Sequence, residues 1–226
     1  MVRFTALCLL QVGSMIKFNP ECRLCPRLAA HLAKVRRDYP EYHARPVAPF
    51  GDKKPRLIIV GLAPGMHGAN ATGRPFTGDY AGILLYRTLH QFGFANQGQA
   101  THLKDGLRLI NCRITNAVKC LPPENKPANQ EISTCNRYLK SELTTLDPGA
   151  VILALGRIAH NATLKALGLK QVDYPFMHGR LFALEESRWL LNSYHCSRYN
   201  TQTGRLTEQM FRNIFSKIVE LLDITY

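Results

Sequence analysis

The sequence predicts an α/β protein: a mostly parallel central sheet sandwiched between helices in three layers. Three observations predict it. Short, unbroken runs of apolar residues stand at 57–60 and 150–155, as in strands buried on both faces. Segments with helical apolar spacing alternate with such runs, at 28–37, 83–92, 158–167 and 208–222. The first run also leads straight into a glycine- and proline-rich loop. Open α/β sheets place their ligands in loops at the carboxyl ends of buried strands.

Taken in order, Cys22-Arg23-Leu24-Cys25-Pro26 opens the first helix. The 38–55 segment holds four prolines and reads as a meandering loop. Leu57-Ile58-Ile59-Val60 is the first strand, followed by Gly61-Leu62-Ala63-Pro64-Gly65 and a loop that closes with Gly73-Arg74-Pro75-Phe76-Thr77-Gly78-Asp79. That loop presents an aromatic and a carboxylate three positions apart, and it reads as the floor of an active site. Helix 83–92 stops at Gly93. A second strand is expected at 107–111, running on through Cys112 toward Cys120. Pro122, Pro123 and Pro127 then force a loop. Asn129 is placed to cap a helix that carries Cys135 and reaches about residue 146. The buried strand 150–155 turns through Gly156-Arg157 into the next helix. Strands 180–184 and 189–193 follow, and His195 leaves the end of the second. A polar loop at 198–205 precedes the closing helix 208–222. No internal repeat interrupts this order. Residues 1–226 read as one domain, in which 1–14 contribute little because Met15 is an equally good start.

The charge balance narrows the function. Against 16 Asp+Glu stand 29 Lys+Arg, a net charge of +13 spread along 226 residues, which points to a polyanionic partner, most simply nucleic acid. No apolar run approaches the roughly 18 residues of a membrane span. The short run at 4–10 has no small-residue cleavage site after it, so no signal peptide is expected. Seven cysteines, an odd number, argue against a secreted disulfide framework and for a reducing, cytoplasmic compartment.

Cys22-x-x-Cys25 has the spacing of a ligand pair, and Cys120 and Cys135 are its natural partners. A site made from such distant pairs is assembled by tertiary folding and would staple the N-terminal segment onto the sheet. Four thiolates suit either zinc or a [4Fe–4S] cluster, and the count does not choose.

Five motifs occur in order between residues 21 and 222. They are Cys-x-x-Cys-Pro-Arg-Leu; Gly-Leu-Ala-Pro-Gly with Thr-Gly-Arg-Pro-Phe-Thr-Gly-Asp; Cys-x-Pro-Pro-x-Asn-Lys-Pro; Ala-Leu-Gly-Arg-Ile-Ala; and His-x-Ser-x-x-Asn-Thr-Gln-Thr-Gly-Arg-Leu-Thr. Together they resemble the iron–sulfur uracil-DNA glycosylases, in the branch called family 5 or type B. The resemblance implies a [4Fe–4S] cluster on Cys22, Cys25, Cys120 and Cys135. It also implies excision of uracil, and of other deaminated bases, from DNA. Separately, a monomer with no membrane attachment is expected.

On that reading each motif has a chemical task. A base flipped from the duplex needs an aromatic face, which Phe76 offers. Its polar edge needs an amide that both donates and accepts; Asn125 is favoured, on a loop fixed by prolines, and Asn116 is the competing amide. Negative charge grows on the departing base, and His195 is placed to hydrogen-bond it there. Some related branches carry a polar side chain at the position of Leu62; here the carboxylate must come from elsewhere, and Asp79 is the candidate for orienting water, besides capping a helix. Gly61, Leu62, Ala63 and Gly65 supply backbone around the base. Arg198 and Arg205 are expected at the DNA, with Leu206 as an apolar wedge. The one lysine in these motifs, Lys126, lies between Asn125 and Pro127 and has no Schiff-base role assigned to it, so hydrolysis is expected. The rival reading is a non-catalytic, basic nucleic-acid-binding domain held by a four-cysteine zinc site.

Overall fold

The computed structural model describes residues 16–223. The apolar run at 4–10 and the alternative start at Met15 lie outside them. Among the described residues six strands form one sheet. Its centre is Leu57–Gly61 (β2), flanked by Cys112–Asn116 (β3) on one side and Val151–Leu155 (β4) on the other, all parallel. Trp189–Ser193 (β6) extends the parallel set beside β4. Two short antiparallel strands close the edges, Phe50–Gly51 (β1) beside β3 and Leu181–Ala183 (β5) beside β6, so the order is β1-β3-β2-β4-β6-β5.

The branched runs alternate between two cores, as strands buried on both faces must. Leu57, Ile59 and Leu153 point to one side, where they meet Leu85 and Leu89 of Tyr80–Gln91 (α3) and Phe211 and Phe215 of Glu208–Leu222 (α7). Ile58, Val60 and Ile152 point to the other, against Leu139 and Leu143 of Asn129–Leu143 (α4) and Ala162 and Leu164 of Arg157–Leu167 (α5). Pro26–Asp38 (α1) sits apart from both layers. Its Leu28, Leu32 and Val35 pack with Val118, Leu121 and Tyr138, and Arg27 grips Glu131 of α4 at 2.7 and 2.8 Å.

Several boundaries differ from the expected ones for local reasons. Residues 107–111 do not extend β3: Asn111 takes a left-handed φ of 51°, its N–H donating to the Asp52 carboxylate, and Leu109 makes only an isolated bridge to Ala95. The cap of α4 is Ala128 rather than Asn129, because the Glu131 carboxylate folds back onto the Ala128 N–H at 2.7 Å. That helix ends at Leu143, before the expected 146. The 38–55 loop contains the edge strand β1, the loop after β2 contains a single helical turn, Ala69–Thr72 (α2), and the polar loop contains a short helix, Arg198–Gln202 (α6), capped by Ser197. Among the described residues no helix is long and apolar enough to cross a membrane.

Candidate active site

A cavity of about 360 Å³ opens at the carboxyl ends of β2 and β3, beside the segment that leaves β6. Its walls include Leu62, Phe76, Asp79, Asn116, Asn125 and His195. The aromatic, the acid, the amides and the imidazole that were read from four separate stretches of sequence thus share one hollow. Leu62, Ala63 and Gly65 line it too; Gly61 stands directly behind, in contact with two of its walls.

Local packing explains the wall. A Cβ on Gly61 would lie 2.4 Å from Asn116 Oδ1 and 2.8 Å from the Phe76 ring, so only glycine lets both side chains reach the cavity. A Cβ on Gly68 would lie 2.5 Å from the Asp79 carboxylate. Phe76 itself is buried and held at a left-handed φ of 55°, a strained state for an aromatic residue. Its neighbours hold the strain in place. Tyr86 donates to the Pro75 carbonyl at 2.6 Å, and the buried Arg74 bridges Thr77 at 2.8 Å and both oxygens of Asp105 at 2.9 and 2.5 Å. The Phe76 and His195 rings stack at 5.8 Å, 26° from parallel. At that separation no base fits between them, so a base would stack against the cavity side of the pair.

The electrostatics follow from burial. Asp79 accepts the Gly82 N–H at 2.9 Å as the cap of α3, which favours its charged form; desolvation outweighs that bond and raises its pKa above the usual 3.8. His195 is only partly open to the cavity, and burial pushes it from 6.5 down to about 4. It is therefore neutral near pH 7, a hydrogen-bonding group without charge. The Asn200 side chain clamps its carbonyl at 2.8 Å. Asn116 is 4% exposed, and its Oδ1 has no hydrogen-bond partner. Such a buried, unpaired carbonyl is costly unless a ligand meets it. The Asn116 backbone is fixed by the buried Lys119 ammonium, which donates to its carbonyl at 2.9 Å and to Glu142 at 2.7 Å.

Residues 48–219 match the model of the Uracil DNA glycosylase superfamily. The chain belongs to this superfamily. It is 46% identical over 205 residues, covering 88% of this chain and 93% of the relative, to a Type-5 uracil-DNA glycosylase of Thermus thermophilus. A Type-5 uracil-DNA glycosylase of Mycobacterium bovis is 42% identical over 94% of this chain and 83% of its own length. A Type-4 uracil-DNA glycosylase of Saccharolobus solfataricus is 28% identical over 73% and 72%.

Both candidate amides line the cavity, at different depths. Asn125, the favoured amide, sits exposed at the rim on a left-handed turn with φ 57°. Asn116, the competing amide, forms the inner wall. The signal for it was the same rule that singled out Gly61: it ends a parallel strand at the carboxyl edge of the sheet, in register with Gly61.

The DNA-side expectations divide. Arg198 and Arg205 are exposed, their guanidinium groups over the rings of Tyr80 at 5.1 Å and Tyr194 at 4.7 Å. Leu206 cannot be a wedge, because it is fully buried. It precedes the Thr207 cap of α7 and shares a core cluster with Phe211, the two positions of a hydrophobic staple, so the helix start claims it. The exposed aromatic of this segment is Tyr199 on α6, 70% accessible. Its signal was a lone aromatic in an otherwise polar loop.

Cys22, Cys25, Cys120 and Cys135 line one small hollow with Leu28, Val118 and Tyr138, and all four are free thiols. Burial, with the other cysteines close by, pushes Cys25 up to about 11 and Cys120 to about 12. Ionising all four there requires a compensating cation. Among the described residues no group of three or more His, Cys, Asp or Glu is placed to hold a metal ion. The donor set itself, four thiols in an apolar wall, fits a thiolate-bound cluster.

Proposed function

We propose that this chain is a monofunctional uracil-DNA glycosylase that removes uracil, and other deaminated bases, from DNA. The observation that carries the reading is the convergence of Phe76, Asp79, Asn116, Asn125 and His195 on one base-sized cavity in a chain of this superfamily. The flipped base stacks on Phe76, at a gain of roughly 1–3 kcal/mol set against the cost of unstacking. Asn116 reads its polar edge through a side-chain amide that can both donate and accept. Asn125 closes the rim.

As the C1′–N bond stretches, its electron pair moves onto the base and the sugar becomes cationic. Neutral His195 donates a hydrogen bond to the base oxygen that gains charge. Asp79, ionised, faces the cationic sugar and accepts a proton from the water that attacks C1′. Leu62 offers no polar group for that task, which leaves the carboxylate of the α3 cap to do it. Among the described residues no lysine lines the cavity, so the base leaves by hydrolysis and an abasic site remains. Arg198 and Arg205 hold phosphates on either side, and Tyr199 takes the wedge role expected of an exposed apolar group.

Cys22, Cys25, Cys120 and Cys135 would hold a [4Fe–4S] cluster. Bound there, its cationic core would offset part of the charge of the four thiolates and fasten α1 to the β3–α4 connection, a structural service outside the chemistry. Chemical iron and sulfide analysis with a visible absorption spectrum tests it; stoichiometric zinc instead would overturn it. The activity is tested with a labelled duplex carrying one G·U pair. Alkali-sensitive breaks at the uracil position are expected, and binding without breaks would favour the non-catalytic reading.

A further inference from the structure

A second groove, of about 640 Å³, abuts the cavity. Asp79 belongs to both, and Ser197 of the cavity is followed directly by Arg198 of the groove. The two hollows therefore meet along a line from Asp79 to the start of α6. The far wall comes from Gln99 and Thr101, on the connection that follows α3, and the floor from Tyr80 and Ile83 on the first turn of α3. Ile83 is 58% exposed, a large apolar side chain left facing water. Arg198 lies over Tyr80.

This wall and its cation have no task inside the base cavity. A base removed from DNA arrives on a polymer, so the sugar at the cavity mouth continues into a phosphate and a further nucleotide. The groove starts where that continuation must leave. It offers a cation for a phosphate, an aromatic ring and a branched apolar side chain for a base or sugar, and two hydrogen-bonding side chains at the edge. The chain's excess of positive charge suits the same partner.

We propose that this groove binds the nucleotide next to the excised one on the same strand, with its phosphate on Arg198 and its base against Tyr80 and Ile83. The proposal rests on the glycosylase reading and deepens it, because it makes the enzyme sensitive to one flanking nucleotide. It also assigns Tyr80, at the start of α3, to the neighbour rather than to the base in the cavity.

The test uses the full-length protein with its cofactor and short single-stranded oligonucleotides carrying uracil. One has nucleotides on both sides; two others lack the neighbour on the 5′ or the 3′ side. Binding is read by fluorescence anisotropy with a non-cleavable 2′-fluoro uracil analogue, and excision by single-turnover rates. In the wild type, removal of one particular neighbour should weaken binding about tenfold and removal of the other much less. Tyr80→Leu keeps the bulk but loses the ring; Ile83→Glu is at an exposed position that folding tolerates and brings a carboxylate toward the phosphate. Both should bring the ratio between full and truncated oligonucleotides close to one. If both variants keep the wild-type ratio, or the wild type binds all three alike, the groove does not hold the neighbour. The binding measurement decides this even if no base is excised, an outcome that would instead overturn the activity proposed above.

Discussion

At the scale of single residues, the site depends on groups whose charge state burial has set. His195, pushed down to about 4, is a neutral imidazole near pH 7, so under the proposed mechanism kcat/KM should show no inflection near 6.5. The acid limb should come from protonation of Asp79, which burial moves above 3.8. A pH profile of the wild type and of Asp79→Asn checks this: the variant should lose the limb together with about 10²- to 10⁴-fold in rate. Asparagine caps helices about as well as aspartate, so its stability should hold, whereas Asp79→Ala should also cost about 1 kcal/mol. His195→Ala should lower the single-turnover rate about 10²- to 10³-fold. If Asp79→Asn kept the full rate while His195→Ala lost it, water positioning by Asp79 would be wrong. The His195 shift has a sign for stability too. The unfolded chain takes up a proton at 6.5 and the native state only near 4, so His195 withdraws stability as pH falls through that window.

At the scale of elements, the loop after β2 stores strain at Phe76 and relies on packing to keep it. The Arg74–Asp105 pair, with side chains 2% and 7% exposed, ties this loop to the connection after α3. Arg74→Ala would leave the Asp105 carboxylate buried without its cation, at an expected cost of about 3–5 kcal/mol in denaturant unfolding. Gly61→Ala should be milder in stability and severe in function. Its methyl would press on both Asn116 and the Phe76 ring. Binding of a uracil-containing oligonucleotide, measured by anisotropy, should weaken at least about tenfold while the fold persists by circular dichroism. Most of this loop was legible beforehand, because glycine and proline signal tight turns whatever surrounds them. The edge strand β1 was not legible, since two residues carry no periodicity. Strand β3 was misplaced because Leu107 and Leu109 are buried like strand residues, yet the turn at Asn111 breaks the extended run.

At the scale of the whole molecule, a net charge of +13 and exposed arginines beside the cavity predict binding that weakens steeply with salt. Affinity for a uracil-containing duplex, measured across a salt series, should fall linearly on a log–log plot, and Arg205→Ala should reduce the slope by about 1. Cys120→Ser should cost folding more than chemistry, seen as a lower thermal midpoint with a near-normal rate in the folded fraction. A folded, soluble variant without activity would make the cluster functional rather than structural.

By itself the sequence determined the layered α/β plan, the carboxyl-edge position of the glycine loop, and the candidates Phe76, Asp79, Asn125 and His195. These follow from local chemistry: branched runs make buried strands, glycine and proline make turns, and rare polar groups at strand ends face the sheet's open edge. Only the tertiary structure decided between neighbours with equal local claims. It put Asn116 on the inner wall and Asn125 at the rim, and it gave Leu206 to the core and Tyr199 to solvent. The reason is physical: strand register and helix packing determine which side of a loop faces the cavity, and both arise from contacts between residues far apart in the chain.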